Sequence, residues 1–214
     1  MNWFLDMCIL IFYANPSESL SAKTRKFVKS KGKDIFAVCY YITHRNLPKW
    51  TERQRIAIKE IKRYYNDQDY ILGSSEESKG LFKEDIIEAK KIAVLSLKKT
   101  GDKEKAYELL KRNQEFLINN LKYFIKNFVD KQVIPINEID FELKSSLFTY
   151  LTPNDSDANT LASGIQYHKQ EKATLLTGDR ADWNKELLEN AVIYHTALNK
   201  KYSDLPEIKY IQNY

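Results

Sequence analysis

Two almost uninterrupted apolar stretches near the start of this 214-residue chain constrain the fold more than any other feature of the sequence. They cover residues 3–13 and 34–42, and both are rich in aliphatic and aromatic side chains. A continuous apolar run is typical of a strand that is buried on both faces of a parallel sheet. A basic helical pattern over residues 21–31 separates the two runs. The sequence therefore predicts an opening β-α-β unit.

The rest of the chain predicts further helices and strands in an α/β order. A polar loop is predicted over residues 66–80, and Gly101 marks a break between two long helices. The predicted helices cover residues 51–65, 84–99, 102–129, 140–149, 157–170 and 182–189, and the predicted strands or extended segments cover residues 133–136, 173–177 and 191–196. This pattern favours an α/β fold with a mostly parallel sheet of about four or five strands.

Charge and cysteine content narrow the class of protein. The chain carries 34 Lys and Arg against 29 Asp and Glu, a net charge of +5, which suits a polyanionic partner without requiring one. Cys8 and Cys39 lie inside the apolar runs, so we expect two buried free thiols in a reducing compartment. The first apolar run has no basic segment before it and is too short to span a bilayer. We therefore expect a cytoplasmic protein with no membrane association.

Acidic residues interrupt or follow two of the predicted strands. Asp6 lies in the first apolar run, where an ionised carboxylate is costly unless it is at a strand end, paired or metal-bound. Asp179 follows the predicted strand 173–177, and Asp182 lies one short turn beyond it. Ligands of open α/β sheets bind at the carboxyl ends of the strands, where these side chains can converge. Asp6 as a helix cap or half-exposed strand acid, and Asp179 or Asp182 as the next helix cap, remain alternatives.

A third acidic position heads the predicted helix 157–170. Asp157 is its first residue, and Asp155 is a close competitor for the same role. The alternative is a capping or first-turn acid that is favoured by the helix dipole. Clusters of oxygen ligands are the usual binding sites of Mg²⁺ and Mn²⁺. The acids together therefore predict metal-dependent chemistry.

Three motifs of this chain, in their order and spacing, resemble the PIN domain family, a metal-dependent ribonuclease fold that includes VapC-type toxins. The motifs are FLD at residues 4–6, DANTLASG at residues 157–164 and LLTGDRADW at residues 175–183. The resemblance covers residues 3–46 and 154–195. It implies one PIN-like domain over residues 1–214, a three-layer α/β/α sandwich, with residues 66–146 as a mainly helical insertion.

The resemblance also implies an activity, metal-dependent endoribonuclease, which hydrolyses phosphodiester bonds of RNA. Asp6, Asp157 and Asp179 would hold one or two Mg²⁺ or Mn²⁺ ions, and Asp182 would be an auxiliary acid. Within the family, a toxin of a toxin–antitoxin pair would have a protein inhibitor that covers the acids. A homodimer is a further expectation that the chain itself does not determine.

One departure from the family pattern concerns a glutamate that is usually found early in the helix after the second strand. The matching position in this chain is Asn46, which can ligate a metal through its carbonyl oxygen but adds no negative charge. Asp155, Glu52 or Glu142 would then complete the site, or the cluster lacks one carboxylate. A catalytically inactive PIN-like module that binds RNA or protein is therefore the alternative function.

Positive charge near the acids is needed for contact with RNA. The candidates are Arg180 inside the third motif, and Arg45 and Lys49 after the second predicted strand. For each of them, a solvated surface charge is the alternative. A phosphatase with a nucleophilic aspartate is a further rival, but it would require Asp-x-Asp at the first strand, where this chain has Asp6-Met7-Cys8.

Overall fold

A computed structural model describes residues 1–67 and 69–214, and in these residues five strands form one sheet that is parallel throughout. The strands are β1 (Asn2–Leu5), β2 (Ile35–Cys39), β3 (Lys131–Val133), β4 (Ala173–Thr177) and β5 (Ile208–Tyr210). Their order in the sheet is β3-β2-β1-β4-β5. The predicted α/β fold with a mostly parallel sheet of four or five strands is confirmed.

Helices connect the strands, as parallel pairing requires. The α-helices are α1 (Met7–Ala14), α2 (Ser21–Ser30), α3 (Leu47–Asn66), α4 (Lys83–Thr100), α5 (Lys103–Phe128), α6 (Phe141–Tyr150), α7 (Asp155–Glu171), α8 (Lys185–Ile193) and α9 (Thr196–Lys201). A π-helical turn occupies Ile42–Asn46, and 3₁₀ turns occupy Glu77–Gly80, Ile136–Glu138 and Ile211–Asn213. The predicted helices 21–31, 51–65, 84–99, 102–129, 140–149 and 157–170 all correspond to observed helices.

Helices cover the sheet on both faces, which is visible at β1. Successive side chains of a strand point to opposite faces. Trp3 packs edge-on against Phe27 of α2, with ring centroids 5.0 Å apart. Phe4, on the other face, lies against α7, where its ring approaches Gly164 and Tyr167. This arrangement is consistent with a three-layer α/β/α fold.

The strand order creates a crevice at one place on the edge of the sheet. From β1 the chain moves outwards through β2 to β3, and it then returns to the other side of β1 as β4 and continues to β5. The direction of winding therefore changes between β1 and β4. In open α/β sheets, ligands bind outside the carboxyl ends of the strands at such a switch point. The residues that follow β1 and β4 are thus placed where a ligand site is expected.

The prediction of one long first strand over residues 3–13 is wrong. Strand β1 ends at Leu5, and α1 begins at Met7. A helix that is buried on most sides has no polar stripe, so its sequence cannot be told from that of a buried strand by hydrophobicity alone. Asp6 therefore lies at the junction of a strand and a helix.

The prediction of a strand over residues 191–196 is also wrong, because this segment contains the end of α8 and the start of α9. Leu188, Ala191 and Val192 are buried at helical spacing, whereas Tyr194 is exposed. The last strand is instead β5, which no pattern in the sequence indicated. The observed α8 starts three residues later than the predicted helix 182–189, and β3 starts two residues earlier than the predicted segment 133–136.

The chain divides into two compact units, residues 1–47 with 120–214, and residues 48–119. The first unit contains the whole sheet. The second overlaps the predicted insertion 66–146 without sharing its bounds, since β3 and the first turns of α6 belong to the first unit. The second unit has its own core, formed by Ile61, Tyr65, Ala89, Ala93, Ala106 and Leu110.

Two further findings concern the expectations from composition. Cys8 and Cys39 are both free thiols, as predicted, but only Cys39 is fully buried, whereas Cys8 is partly exposed. In the described part of the chain, we find no helix whose length and apolar character would allow it to cross a bilayer.

Candidate active site

Asp6 occupies the N-cap position of α1 but does not act as a cap. Its backbone is extended, and its side chain makes no capping hydrogen bond. The carboxylate is 5% exposed and accepts hydrogen bonds at Oδ2 from the Thr177 hydroxyl at 2.7 Å and from the Cys8 thiol at 2.9 Å. The alternative of a helix cap is therefore not supported by the geometry, and Asp6 faces the end of β4.

The pairing of β1 with β4 brings the two strand ends together. Leu5 lies opposite Leu176 in the parallel register, and the Asp6 backbone N–H donates to the Leu176 carbonyl at 3.0 Å. Asp6 and Thr177 are consequently neighbours, although they are far apart in sequence. This contact joins the two strand ends at the switch point between β1 and β4.

Residues 178–183, here named the acidic loop, follow β4 and hold their shape through their own acids. The Asp179 N–H donates to the Thr177 hydroxyl at 2.9 Å. Asp179 Oδ1 accepts from the N–H groups of Ala181 at 2.8 Å and Asp182 at 3.0 Å. The cap of α8 is Asn184, so neither acid of this loop has the capping role that the sequence left open.

The acidic loop begins with a residue that has no room for a side chain. A Cβ atom added to Gly178 would overlap the ring of Phe12 and lie 3.5 Å from the Cys8 sulfur. The Gly178 N–H also donates to that sulfur at 3.0 Å. The glycine thus allows β4 to pass directly over α1 and to place the loop beside Asp6.

Asp157 lies in the first turn of α7, and the cap of this helix is Asn154, whose Oδ1 accepts from the Ser156 N–H at 3.0 Å. The Asn154 amide also donates to Asp157 Oδ2. Burial raises the pKa of Asp157 to about 7, and the negative charges of three other acids act in the same direction. These acids are Asp6, Asp182 and Asp179.

The pKa of Asp6 is also raised. Burial is the largest cause, the hydrogen bonds from Cys8 and Thr177 oppose it, and the charge of Asp179 adds to it. Each of these two acids is therefore perturbed by at least one other member of the same group. The structure brings together all four aspartates that the sequence singled out, from three separate segments of the first unit.

Asp155 belongs to a different environment, although it is two residues from Asp157. Lys144 forms an ion pair with its Oδ1 at 2.6 Å, and the Tyr41 hydroxyl and the Asn159 amide donate to its Oδ2. The hydrogen bond from Lys144 lowers the pKa of Asp155 and outweighs its partial burial. Of the two competing acids, Asp157 therefore lies in the cluster and Asp155 is neutralised beside it.

The two other acids proposed to complete the site are exposed. Glu142 lies in the first turn of α6. Glu142 is not among the groups that raise the pKa of Asp157. Glu52 belongs to the second unit, where it pairs with Arg55 at 3.4 Å.

Asn46, for which the resemblance led us to expect a glutamate, is the last residue of the π-helical turn that follows β2. It is 8% exposed. Single π-helical turns are rare in proteins, and many of those that occur lie at functional sites. This turn lies beyond the carboxyl end of β2, the strand next to β1, and no periodicity in the sequence indicated it.

Three polar residues of the site were not predicted, namely Cys8, Thr177 and Asn154. All three hold an acid by a hydrogen bond, and none carries charge. A signal existed for two of them, because Cys8 and Thr177 interrupt apolar stretches near an acid. Such residues fix the carboxylates in position without neutralising them.

The basic residues proposed for substrate contact are all exposed. Arg180 lies within the acidic loop, and its guanidinium donates to Asn213 Oδ1 at 2.8 Å. Arg45 lies in the π-helical turn. Lys49 lies in α3 and belongs to the second unit.

The chemistry of the clustered side chains fits a hard divalent cation, since all four offer carboxylate oxygens. Their mutual repulsion, which adds to the effect of burial on the pKa of Asp157, is what a cation would relieve. Within residues 1–67 and 69–214, however, no three His, Cys, Asp or Glu side chains are grouped so that they could hold a metal ion. The donors thus suit Mg²⁺ or Mn²⁺ in type and charge, but they are not assembled as a finished coordination shell.

Comparison of the chain with models of protein families, with curated proteins and with solved structures finds no match. A functional proposal for this chain must therefore come from its own residues and their geometry.

Proposed function

We propose that this chain is a PIN-like, Mg²⁺- or Mn²⁺-dependent endoribonuclease. The observation that carries the proposal is the grouping of Asp6, Asp157, Asp179 and Asp182 at the switch point of the sheet. Burial raises the pKa of Asp157 to about 7, and the charges of the other three acids add to this rise. Like charges held together in a partly buried crevice repel one another and destabilise the fold unless a bound cation offsets the repulsion. Such groups are therefore candidates for a functional site. The order of the motifs along the chain adds the family resemblance to this argument.

The side chains divide the work of the proposed site. Asp6, Asp157 and Asp179 would supply the oxygen ligands, and Asp182 would add charge beside them. The Thr177 hydroxyl orients the carboxylate of Asp6, and the Asn154 amide orients that of Asp157. A bound divalent ion would supply a water of lowered pKa and would neutralise charge on the phosphate under attack.

RNA is the substrate class that the resemblance implies, and the charge of the chain is compatible with it. The net charge of +5 coexists with an acidic crevice, so cationic side chains must lie elsewhere on the surface. Arg180 and Arg45 are exposed in segments that follow β4 and β2, the strands on either side of β1. A toxin role, with an antitoxin-like protein that covers the acids, belongs to the proposal by family analogy alone.

The proposal is tested by incubating the protein with a pool of short RNAs in the presence of Mn²⁺, in EDTA, and with a matched DNA pool. We expect cleavage of RNA with Mn²⁺ and none with EDTA. Asp6→Asn and Asp179→Asn should each reduce the rate about 100-fold or more, because each removes a charged ligand of the proposed ion.

Asp204→Asn is the matched control, since it makes the same substitution at an exposed acid that pairs with Lys172 outside the cluster. It should leave cleavage unchanged. Cleavage that persists at the wild-type rate in both cluster variants, or that is equal in EDTA, would contradict the proposal.

The second candidate function is a catalytically inactive module that binds RNA or protein. Asn46 favours it, because an amide at this place leaves the site one charge below the family pattern. Titration of the protein with Mn²⁺ in a calorimeter, followed by RNA binding in EDTA, separates the two candidates. RNA binding without cleavage and without Mn²⁺ binding would favour the inactive module.

A further inference from the structure

The segment formed by residues 210–213, here named the clamp, is hydrogen-bonded to both ends of the acidic loop. The Gln212 side-chain amide donates to the Gly178 carbonyl at 2.7 Å. The Tyr210 hydroxyl donates to the Trp183 carbonyl at 2.8 Å. The clamp thus holds the backbone of the loop that carries Asp179 and Asp182 at its first and last residue.

A third contact joins the middle of the loop to the clamp. The Arg180 guanidinium donates to Asn213 Oδ1 at 2.8 Å. Its central carbon, Cζ, lies 5.3 Å from the centroid of the Tyr210 ring. A guanidinium over an aromatic face is attracted by the ring quadrupole. Arg180 therefore has a partner within the chain, which gives it a structural task besides the substrate contact expected from the sequence.

The clamp is itself fixed to the first unit. It continues β5, whose Tyr210 lies opposite Thr177 in the parallel register. The Lys23 ammonium donates to the Gln212 carbonyl at 2.7 Å, and Ile211 is fully buried. A loop held by a segment that is anchored in this way keeps its geometry better than a loop held only by its own turns.

The position of the two acids depends on the conformation of the loop backbone. Asp179 Oδ1 is already engaged by the N–H groups of Ala181 and Asp182, so the orientation of the acids follows from the turn between residues 178 and 183. No ordinary sequence signal connects this turn with β5. We propose that Gln212 and Tyr210 are positioning residues, which keep Asp179 and Asp182 directed towards Asp6 and Asp157; the catalytic meaning of this rests on the proposed function.

The test uses Gln212→Met and Tyr210→Phe, which remove one donor each and preserve most of the side-chain volume. Amide hydrogen exchange of Asp179, Ala181 and Asp182 is measured in the metal-free protein, and Mn²⁺ affinity is measured by calorimetry. In each variant we expect loop exchange to accelerate roughly fivefold and Mn²⁺ affinity to fall by a similar factor, as for the loss of one net hydrogen bond. In RNA cleavage, kcat should fall while KM stays unchanged.

Gln166→Met is the matched control. The Gln166 amide donates to the Glu138 carbonyl at 2.9 Å and accepts from the Asp140 N–H at 2.8 Å, and neither contact involves the acidic loop. It should leave loop exchange and Mn²⁺ affinity at their wild-type values. Wild-type loop exchange in both clamp variants would overturn the inference, and so would faster exchange with unchanged Mn²⁺ affinity. If the wild-type protein binds no Mn²⁺, the proposed function fails, whereas the exchange rates still decide whether the clamp holds the loop.

Discussion

The two units of the chain each contain a buried acid, and the pKa of this acid is lowered in one unit and raised in the other. In the second unit, Glu60 is 1% exposed and is surrounded by donors. In the first unit, Asp6 is 5% exposed, and other acids lie near it. Burial by itself raises the pKa of both carboxyls. What differs is the charge and the donors of their neighbours.

Glu60 has its hydrogen-bonding capacity filled. Its two oxygens accept from the Tyr70 hydroxyl, the Gly73 N–H, the Ser75 hydroxyl and the Arg63 guanidinium, at distances from 2.5 to 2.8 Å. Although burial is the largest single influence, these bonds outweigh it, so the pKa of Glu60 is lowered. This acid holds residues 70–75 in place through these bonds, and its two oxygens are fully engaged.

The clustered acids Asp6 and Asp157 of the first unit have neutral donors and negative neighbours. Cys8 and Thr177 fix Asp6, and Asn154 contacts Asp157, but no cation is among the causes that shift the pKa of either acid. The comparison teaches that a buried acid in this chain is structural where its partners neutralise it. It is a functional candidate where its partners only orient it. Four predictions test this distinction.

The largest expected effect is that of Glu60→Ala. Removal of this carboxylate leaves three buried or half-buried donors and the Arg63 guanidinium without their acceptor, which should cost about 3–5 kcal/mol of stability. Guanidinium denaturation, with hydrogen exchange of α3 and α4, measures it. Glu77→Ala is the control, because Glu77 is an exposed partner of the same arginine and its loss should lower stability far less than the loss of Glu60. Equal losses in the two variants would show that Glu60 is not specially needed.

The next effect is stabilisation of the first unit by Mn²⁺. At a concentration 100 times its dissociation constant, the ion should add about 2.7 kcal/mol to the free energy of unfolding at pH 8. The gain should be much smaller at pH 5. Asp157 has a pKa of about 7 and is protonated there, and the proton competes with the metal for its carboxylate. Thermal melts at the two pH values measure this difference. Asp179→Asn should reduce the gain, and an equal gain in that variant would mean that the ion binds elsewhere.

Asp157→Asn should stabilise the metal-free protein by about 1–2 kcal/mol at pH 8, after allowance for solvent screening of this half-buried group. The folded-state pKa of about 7 lies above the ordinary value of 3.8. The contribution of Asp157 to stability is therefore fully present below about pH 3.8 and is lost as the pH rises through 7. Denaturation of both proteins in EDTA between pH 4 and pH 8 should show a difference that grows with pH. A constant or negative difference would argue against repulsion within the cluster.

The smallest expected effect is that of Asp155→Asn, and it should have the opposite sign. Because Lys144 pairs with Asp155 at a partly exposed position, its loss should cost about 0.5 kcal/mol at pH 7. The pKa of Asp155 is lowered, so its contribution is present above the ordinary value of 3.8 and is lost as the pH falls through the folded-state pKa. The same denaturation series measures it. If both variants shifted stability in the same direction, the two adjacent acids would not lie in different environments.

Much of this architecture was predictable from local patterns, since the apolar segments at β2 and β4 and the helical periodicities are properties of short stretches. The boundary at Asp6 was not predicted, because α1 is apolar on most sides and gives no periodic signal. Strand β5 was missed because three residues, Ile208–Tyr210, carry too little pattern to stand out.

The candidate site shows the same division between local and long-range information. Asp157, Asp179 and Asp182 were identified because each lies at the end or head of an element that its own neighbours predict, and Asp6 was identified because it interrupts an apolar run. The role of Asp155 could not be separated from that of Asp157, since Lys144 comes from another helix. Gln212 was not indicated either, because its contact with Gly178 exists only once β5 has joined the sheet.

Gly164 shows how hydrophobic packing governs the electrostatics of the crevice. A Cβ atom at this position would lie 3.0 Å from the Phe4 ring and 3.2 Å from Leu175, so α7 rests on the sheet at a depth that few other residues would permit. Asp157 lies seven residues earlier, about 10.5 Å along the same rigid helix. The absence of a side chain at Gly164, two turns away, thus helps to set the distance between Asp157 and the other acids of the crevice. Selection on such a site would act on the depth of a helix in the core as well as on the acids themselves.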